Sequence, residues 1–198
     1  MSTFRIISKI DIKEQSLVKG INLEGLRKLG DPYNFIKHYY LNNIDELVLH
    51  DVTASLYGNK CITEVIKVIS ENIFIPITVG GGIRTVKDVE NILKAGGDRV
   101  LLNSGVVKNI KFLKEVVKNF GSSNVAVNIE YLNYPNCSKI YYEYGRQKTD
   151  IDLKDWIKKV QDHGAGEIVL TSIDREGTGL GFDTDTVKKI IKLIKIPL

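Results

Sequence analysis

Apolar runs of strand length alternate with helix-period segments along the whole 198-residue chain. Continuous runs rich in Ile, Val and Leu are typical of parallel strands that are covered on both faces. They predict strands near residues 5–11, 45–51, 74–79, 98–103, 124–130 and 166–172. Helical spacing predicts helices near residues 31–42, 60–71, 85–95, 108–119, 152–163 and 183–195. The alternation predicts an α/β fold with a parallel sheet, and the stretch 131–150 reads as a hairpin loop after the fifth strand.

The second half of the chain repeats the first half. Glu46 and Glu167 stand in matching segments 121 residues apart, and Asp11 and Glu130 each end a matching apolar run. Such a duplication predicts a (βα)8 TIM barrel made of two half-barrels, a fold that usually needs about 250 residues. We expect one barrel domain over residues 1–198, with about six strand–helix units and the start of a seventh strand. An open doubly wound sheet is the alternative, and the repeat favours the barrel.

Composition and charge narrow the classes of function. The net charge is +4, and the densest basic set, within residues 188–195, interleaves with apolar positions, as on the solvated face of a helix. No apolar run reaches the roughly 18 residues of a membrane span. Cys61 and Cys137 lack the spacing of metal ligands and read as free thiols. We expect a cytoplasmic protein with no cofactor, no metal and no nucleic-acid or membrane partner.

Two acidic residues are the first candidates for chemistry. In a strand–helix barrel the active site lies at the carboxyl ends of the strands. Asp11 and Glu130 occupy such ends in equivalent places of the two halves. Two carboxylates that face one cavity can divide the roles of acid and base. The alternative is that each acid only caps a loop or a helix.

Glycine-rich and small polar turns predict sites for phosphate. Gly80-Gly81-Gly82 follows the third strand, and Asn103-Ser104 follows the fourth. Backbone amides in such turns hold phosphate without side-chain charge, although a tight turn explains the glycines as well. By symmetry, a second phosphate is expected near Gly177 in the second half. A substrate with a phosphate at each end follows from two copies of one cradle.

Charged residues at the beginnings of four strands form a further set. In a barrel they lie on the floor, opposite the active site, and they are Arg5, Glu46, Arg99 and Glu167. They are either a structural ring of salt bridges or a gate. Two other residues are given little weight: His50 is expected to turn away from the pore, and Trp156 to pack in the core.

These residues and their order identify a resemblance to a known family. The chain resembles, over its whole length, the cyclase subunit of imidazole glycerol phosphate synthase, a histidine-biosynthesis enzyme. The motifs that carry the resemblance are Asp11-Ile12-Lys13, Leu17-Val18-Lys19-Gly20, Gly30-Asp31-Pro32, Asp51-Val52-Thr53-Ala54-Ser55, Thr78 to Arg84, Asn103-Ser104 and Thr171 to Thr178.

The resemblance implies a reaction and a partner. Ammonia from a glutaminase subunit, bound at the barrel floor in a heterodimer, would pass through the barrel. It would convert a bis-phosphorylated ribulosyl-formimino aminoimidazole carboxamide ribonucleotide into imidazole glycerol phosphate and aminoimidazole carboxamide ribotide. Asp11 and Glu130 would be catalytic, the four floor residues would be the ammonia gate, and Asp98 would contact the partner. The implied substrate and phosphate contacts are Lys19, Asp51, Gly81, Gly82, Asn103, Ser104, Thr171, Glu176 and Gly177.

The chain departs from the family pattern in two places. The second catalytic position, normally aspartate, is Glu130, and the chain ends at Leu198, where the seventh strand would begin. Misplacement of a catalytic group by about 1 Å can cost about a hundredfold in rate. Two alternatives therefore stay open: a cyclase-like paralogue for sugar amidation in surface-polysaccharide synthesis, and an inactive fragment that binds glutaminase. On the leading interpretation Glu130→Asp is expected to preserve or improve turnover.

Overall fold

The computed structural model describes residues 4–54 and 62–198, and these divide into two compact units. Unit 1 consists of the described residues up to 18 together with those from 28 to 101. Unit 2 consists of residues 19–27 and 102–198. The predicted helix start at 60–61, Ser55 of the family motif and Cys61 lie outside the described residues. The single barrel domain over residues 1–198 stays a prediction.

Unit 1 is built on parallel strands, as the apolar runs predict. Strand β1 pairs in parallel with β4, β4 with β5, and β5 with β6. The strands are β1 (Ile7–Lys13), β4 (Glu46–Asp51), β5 (Ile77–Gly80) and β6 (Arg99–Leu102). The helices are α1 (Pro32–Leu41), α2 (Ile62–Ser70) and α3 (Val86–Lys94). Asp31 caps α1 by accepting from the backbone N–H of Tyr33, and Thr85 and Asp88 form a capping box on α3.

Two strands that the sequence analysis missed follow β1. They are β2 (Ser16–Ile21), which runs antiparallel to β1, and β3 (Glu24–Gly30), which is hydrogen-bonded to β2. Their residues 19–27 belong to unit 2.

Residues 102–198 of unit 2 are built on a parallel strand pair and an antiparallel hairpin. Strand β7 pairs in parallel with β10 and antiparallel with β8, which pairs with β9. The strands are β7 (Val125–Tyr134), β8 (Cys137–Tyr142), β9 (Gln147–Asp152) and β10 (Glu167–Ser172). The helices are α4 (Ser104–Lys108), α5 (Ile110–Phe120), α6 (Leu153–Asp162) and α7 (Thr184–Ile190). The hairpin predicted for 131–150 is present, although β7 itself extends through Tyr134. Trp156 of α6 is 1% exposed, so its predicted packing role is confirmed.

The strand pair β1 and β4 has the same register as the strand pair β7 and β10, as the sequence repeat predicts. Asp11 of β1 stands opposite His50 of β4, and Glu130 of β7 stands opposite Thr171 of β10. The strand β4 starts with a hydrogen bond of 2.9 Å from the backbone N–H of residue 47 to the carbonyl of residue 76. The strand β10 starts with the equivalent bond, also 2.9 Å, from residue 168 to residue 197. The α/β fold class predicted from the alternation is confirmed.

Candidate active site

Asp11 of unit 1 lies buried between a lysine and a histidine. It is 1% exposed, near the end of β1. The Nζ atom of Lys9, two residues earlier on the same face of the strand, is 3.5 Å from Asp11 Oδ1. The Nδ1 atom of His50 is also 3.5 Å from Asp11 Oδ1. His50 therefore points to the same side as the predicted catalytic acid, and the expectation that it turns away was wrong, because parallel neighbours in register present their side chains on one face.

Glu130 of unit 2 occupies the equivalent position and is held by hydrogen bonds. It is 1% exposed, and its Oε1 accepts from Asn128 Nδ2 at 3.0 Å. Its Oε2 accepts from the backbone N–H of Gly145 at 2.9 Å. The hydroxyl of Thr171 donates to Asn128 Oδ1 at 3.0 Å, which fixes the orientation of the amide. The chain from Thr171 through Asn128 to Glu130 links β10 to β7, so the predicted site residue Thr171 orients Glu130 indirectly.

The turn after β4 uses the carboxylate of Asp51. Its Oδ1 accepts from the backbone N–H groups of Thr53 and Ala54, each at 2.9 Å, and from the Thr53 hydroxyl at 3.1 Å. A side chain on Gly81 would collide with the carbonyl oxygen of Asp51, at 2.3 Å, and one on Gly82 would collide with Ala54, at 2.8 Å. The glycines are thus required for two turns to pack closely. Phosphate binding by Gly81 and Gly82, and substrate contact by Asp51, stay predictions.

Asn103 and Ser104 begin helix α4, as expected for small polar residues after a strand. Asn103 Nδ2 is buried and has no hydrogen-bond partner among the residues that the structure describes. The Ser104 hydroxyl accepts from the backbone N–H of Glu143 at 3.0 Å. Lys108, one turn further along α4, forms an ion pair with the Glu143 side chain. The start of α4 therefore meets the turn between β8 and β9.

Lys19, a predicted substrate contact, lies on strand β2 and forms an ion pair with Glu176 within unit 2. The backbone also joins the two loops, because the N–H of Asn22 donates to the carbonyl of Glu176 at 2.7 Å. Gly177 adopts φ +73°, and a Cβ there would lie 2.0 Å from the carbonyl oxygen of Gly20. Only glycine permits this approach. Three residues predicted for the substrate site, Lys19, Glu176 and Gly177, thus lie together.

Three of the four predicted floor residues form one cluster in unit 1. Glu46 is 6% exposed, and its carboxylate accepts hydrogen bonds from Arg5 Nη1 at 2.5 Å and from Arg99 Nη1 at 3.1 Å. Glu167, the fourth, starts β10 of unit 2 and is partly buried. Asp98, the predicted partner contact, is exposed and accepts from the backbone N–H of Ile77 at 2.8 Å, so it also fixes the start of β5.

The sequence analysis missed a cluster of hydrogen bonds around Asp183. Its Oδ2 accepts from the Tyr131 hydroxyl at 2.9 Å and from Asn133 Nδ2 at 2.8 Å. Burial disfavours the ionised form, but hydrogen bonds from Thr186, Asn133 and Tyr131 lower the pKa of Asp183 to about 2. Burial, together with Asp183, raises the pKa of Tyr131 to about 12. The sequence repeat predicted a role for Glu130 and none for Tyr131, the residue that follows it.

A family model described as a histidine biosynthesis protein matches residues 5–198. The chain belongs to the histidine biosynthesis protein family. Its similar relatives include imidazole glycerol phosphate synthase subunit HisF of Legionella pneumophila, 43% identical over the whole chain and 94% of the relative's length. The subunit HisF of Petrotoga mobilis is 40% identical over the whole chain and 79% of its own length. That of Thermococcus onnurineus is 40% identical over 98% of the chain and 77% of its own length.

These relatives confirm the predicted family resemblance and, with it, the prediction of a cyclase-type enzyme of histidine biosynthesis. The individual site residues remain predictions, because family membership alone does not test them. No helix among the described residues is long and apolar enough to cross a membrane.

Proposed function

We propose that this chain uses ammonia to convert the bis-phosphorylated ribulosyl-formimino ribonucleotide into imidazole glycerol phosphate and aminoimidazole carboxamide ribotide. The observation that carries the proposal is the pair of buried carboxylates, Asp11 and Glu130, at equivalent register positions of two repeated units. A structural cap would not need to be repeated at the same strand position in both halves.

The two acids supply the proton transfers that the reaction requires. Attack of ammonia on a carbonyl carbon places extra protons on nitrogen, and loss of the carbonyl oxygen as water requires a donor. Breaking the bond to the leaving ribotide requires a proton as well. A positioned carboxyl group contributes about 10²–10⁴-fold to such steps. Asp11 with its Lys9 and His50 neighbours, and Glu130 with its amide donors, are the groups that we assign to this work.

Phosphate binding is assigned to the turns that follow the strands. The buried amide of Asn103 and the start of α4 at Ser104 are assigned to phosphate, and the Gly81 and Gly82 turn is assigned to the same task. The loop at Gly177 serves the other. We assign closure of the substrate site to Lys19. The ion pair between Lys19 and Glu176 supports this, because it joins β2 to the loop that carries Gly177.

A glutaminase subunit is the proposed source of ammonia. The relatives are named as subunits of a synthase, which implies an assembly of more than one chain. The cluster of Arg5, Glu46 and Arg99 is the proposed gate, with Glu167 as its fourth member, and Asp98 is the proposed contact with the partner. We place the assembly in the cytoplasm, where its substrate would be made.

A second candidate is a paralogue that delivers ammonia to a sugar acceptor of surface-polysaccharide synthesis. The observation in its favour is that the longer Glu130 side chain reaches the backbone N–H of Gly145, so the surroundings fit glutamate. This reading keeps the ammonia route and changes the acceptor.

Two assays separate these functions. The purified 198-residue chain is incubated with the ribulosyl-formimino ribonucleotide and an ammonium salt, and imidazole glycerol phosphate is measured. Growth of a histidine auxotroph that lacks its own cyclase is measured in parallel. Product formation and growth support the proposal and exclude an inactive fragment. If the chain supports sugar amidation but yields no imidazole glycerol phosphate and no growth of the auxotroph on minimal medium, the paralogue replaces the proposal.

A further inference from the structure

The strand faces that carry the two acids bear different charges in the two units. Lys9 and His50 flank Asp11 in unit 1, and the matching positions in unit 2 are Asn128 and Thr171 beside Glu130. The backbone registers are the same, so the difference lies in the side chains alone. One unit surrounds its acid with two basic groups where the other has an amide and a hydroxyl.

The lysine is placed where its charge acts on Asp11. Its side chain is 18% exposed and its Nζ atom is buried, so the ammonium has lost most of its hydration. A desolvated ammonium is costly unless an opposite charge lies close to it. The contact to Asp11 Oδ1 at 3.5 Å, at the outer limit of hydrogen bonding, is an interaction of charges more than a directed bond.

The histidine approaches the same oxygen from the neighbouring strand. Its Nδ1 atom lies 3.5 Å from Asp11 Oδ1, and the residue is 7% exposed. Two basic side chains from two strands therefore converge on one carboxylate oxygen. A positive charge within about 4–6 Å of a carboxyl group favours its ionised form.

The other two buried acids among the described residues of unit 1 have partners of their own. Glu46 binds Arg5 and Arg99, and the Oδ1 atom of Asp51 is used by its own turn.

We propose that Lys9 and His50 are positioning residues that hold Asp11 in its ionised form, as the proton acceptor of the pair. The proposal rests on the assignment of Asp11 to catalysis made above. It makes the two halves chemically unequal despite their common frame. Glu130 has an amide and a hydroxyl at the equivalent positions.

The test measures the titration of Asp11 directly in the full chain without substrate. The ¹³C resonance of the Asp11 carboxyl is assigned by its loss in Asp11→Asn and followed from pH 2 to pH 8. Lys9→Asn introduces the residue type that stands at the equivalent position of unit 2, and Lys9→Arg keeps the positive charge. Lys37→Asn, at an exposed site on α1, is the control for the change in net charge.

We expect Lys9→Asn to raise the titration midpoint of Asp11 by about one pH unit or more, which is a tenfold or greater change in proton affinity. Lys9→Arg is expected to return most of that change, and Lys37→Asn to leave the midpoint in place. An unchanged midpoint in Lys9→Asn overturns the proposal. If Lys9→Asn fails to fold, His50→Thr is titrated instead, and an unchanged midpoint there is equally decisive.

Activity gives an independent readout. The acidic limb of the pH profile for kcat/KM with ammonium salt should move upward in Lys9→Asn by the same amount as the titration midpoint. A parallel loss of rate at all pH values, with no movement of that limb, would mean that Lys9 is only structural. If the parent chain forms no product, the proposed function fails, while the carboxyl titration still decides the role of Lys9.

Discussion

Shortening Glu130 to aspartate tests whether the second acidic site is built around glutamate. The substitution removes one C–C bond, about 1.5 Å of reach. The Gly145 N–H to Oε2 bond of 2.9 Å would then open beyond hydrogen-bonding distance, while Asn128 follows the carboxylate only as far as Thr171 allows. This geometry reverses the sequence-based expectation that aspartate preserves or improves turnover.

The magnitude follows from the lost bond. A hydrogen bond to a charged group contributes about 1.5–3 kcal/mol, and Gly145 is half-buried, so the lower end of about 1.5 kcal/mol applies. For a chain of this size that lowers Tm by about 3–6 °C. Displacement of the carboxylate by about 1 Å would lower turnover with ammonium salt by up to about a hundredfold.

Both quantities are measured on Glu130→Asp, by calorimetry and by steady-state turnover. Glu115→Asp, at an exposed site on α5, controls for the shorter side chain alone. An unchanged Tm with equal or higher turnover in Glu130→Asp would refute the reasoning and restore the expectation drawn from the family pattern.

Three further outcomes are expected. Gly177→Ala should lower the free energy of unfolding by more than about 1 kcal/mol, and by more than Gly179→Ala does, because both positions have φ +73° and only Gly177 would collide with Gly20. Equal losses in urea melts would remove the steric argument. Stability should fall as the pH is lowered from about 4 to about 2, where the hydrogen-bonded carboxylate of Asp183 takes up its proton. Asp183→Asn should flatten that part of the curve of urea midpoint against pH, and an unchanged curve would contradict the assignment. If the floor cluster is a gate, Glu46→Gln should change glutamine-dependent turnover of the assembled synthase more than ammonium-dependent turnover, and equal effects would leave it a purely structural cluster.

The sequence was most informative where the chain repeats. The apolar runs located β1, β4, β7 and β10, and the matching ends of two of them identified Asp11 and Glu130. Strands β2 and β3 were missed because residues 16–30 mix charged and apolar positions without a continuous run.

The neighbours of each acid could not be read from one strand alone. Alternation along a strand gives the two faces of that strand and does not give the register of its partner, so His50 was expected to turn away from the pore. The repeat offset aligns His50 with Thr171, which was itself a predicted site residue, and this match was the available signal. In the structure each of the two residues stands opposite an acid in the parallel register. The bond from Gly145 to Glu130 depends on the folded hairpin, which composition does not specify.

Asp11→Asn tests most directly whether a buried carboxylate near the end of β1 transfers protons in an ammonia-dependent cyclisation. Turnover of the ribulosyl-formimino ribonucleotide with ammonium salt should fall by about 10²–10⁴-fold, while the thermal unfolding transition shows a folded protein. Turnover within a few-fold of the parent chain, in a folded Asp11→Asn variant, would contradict the account.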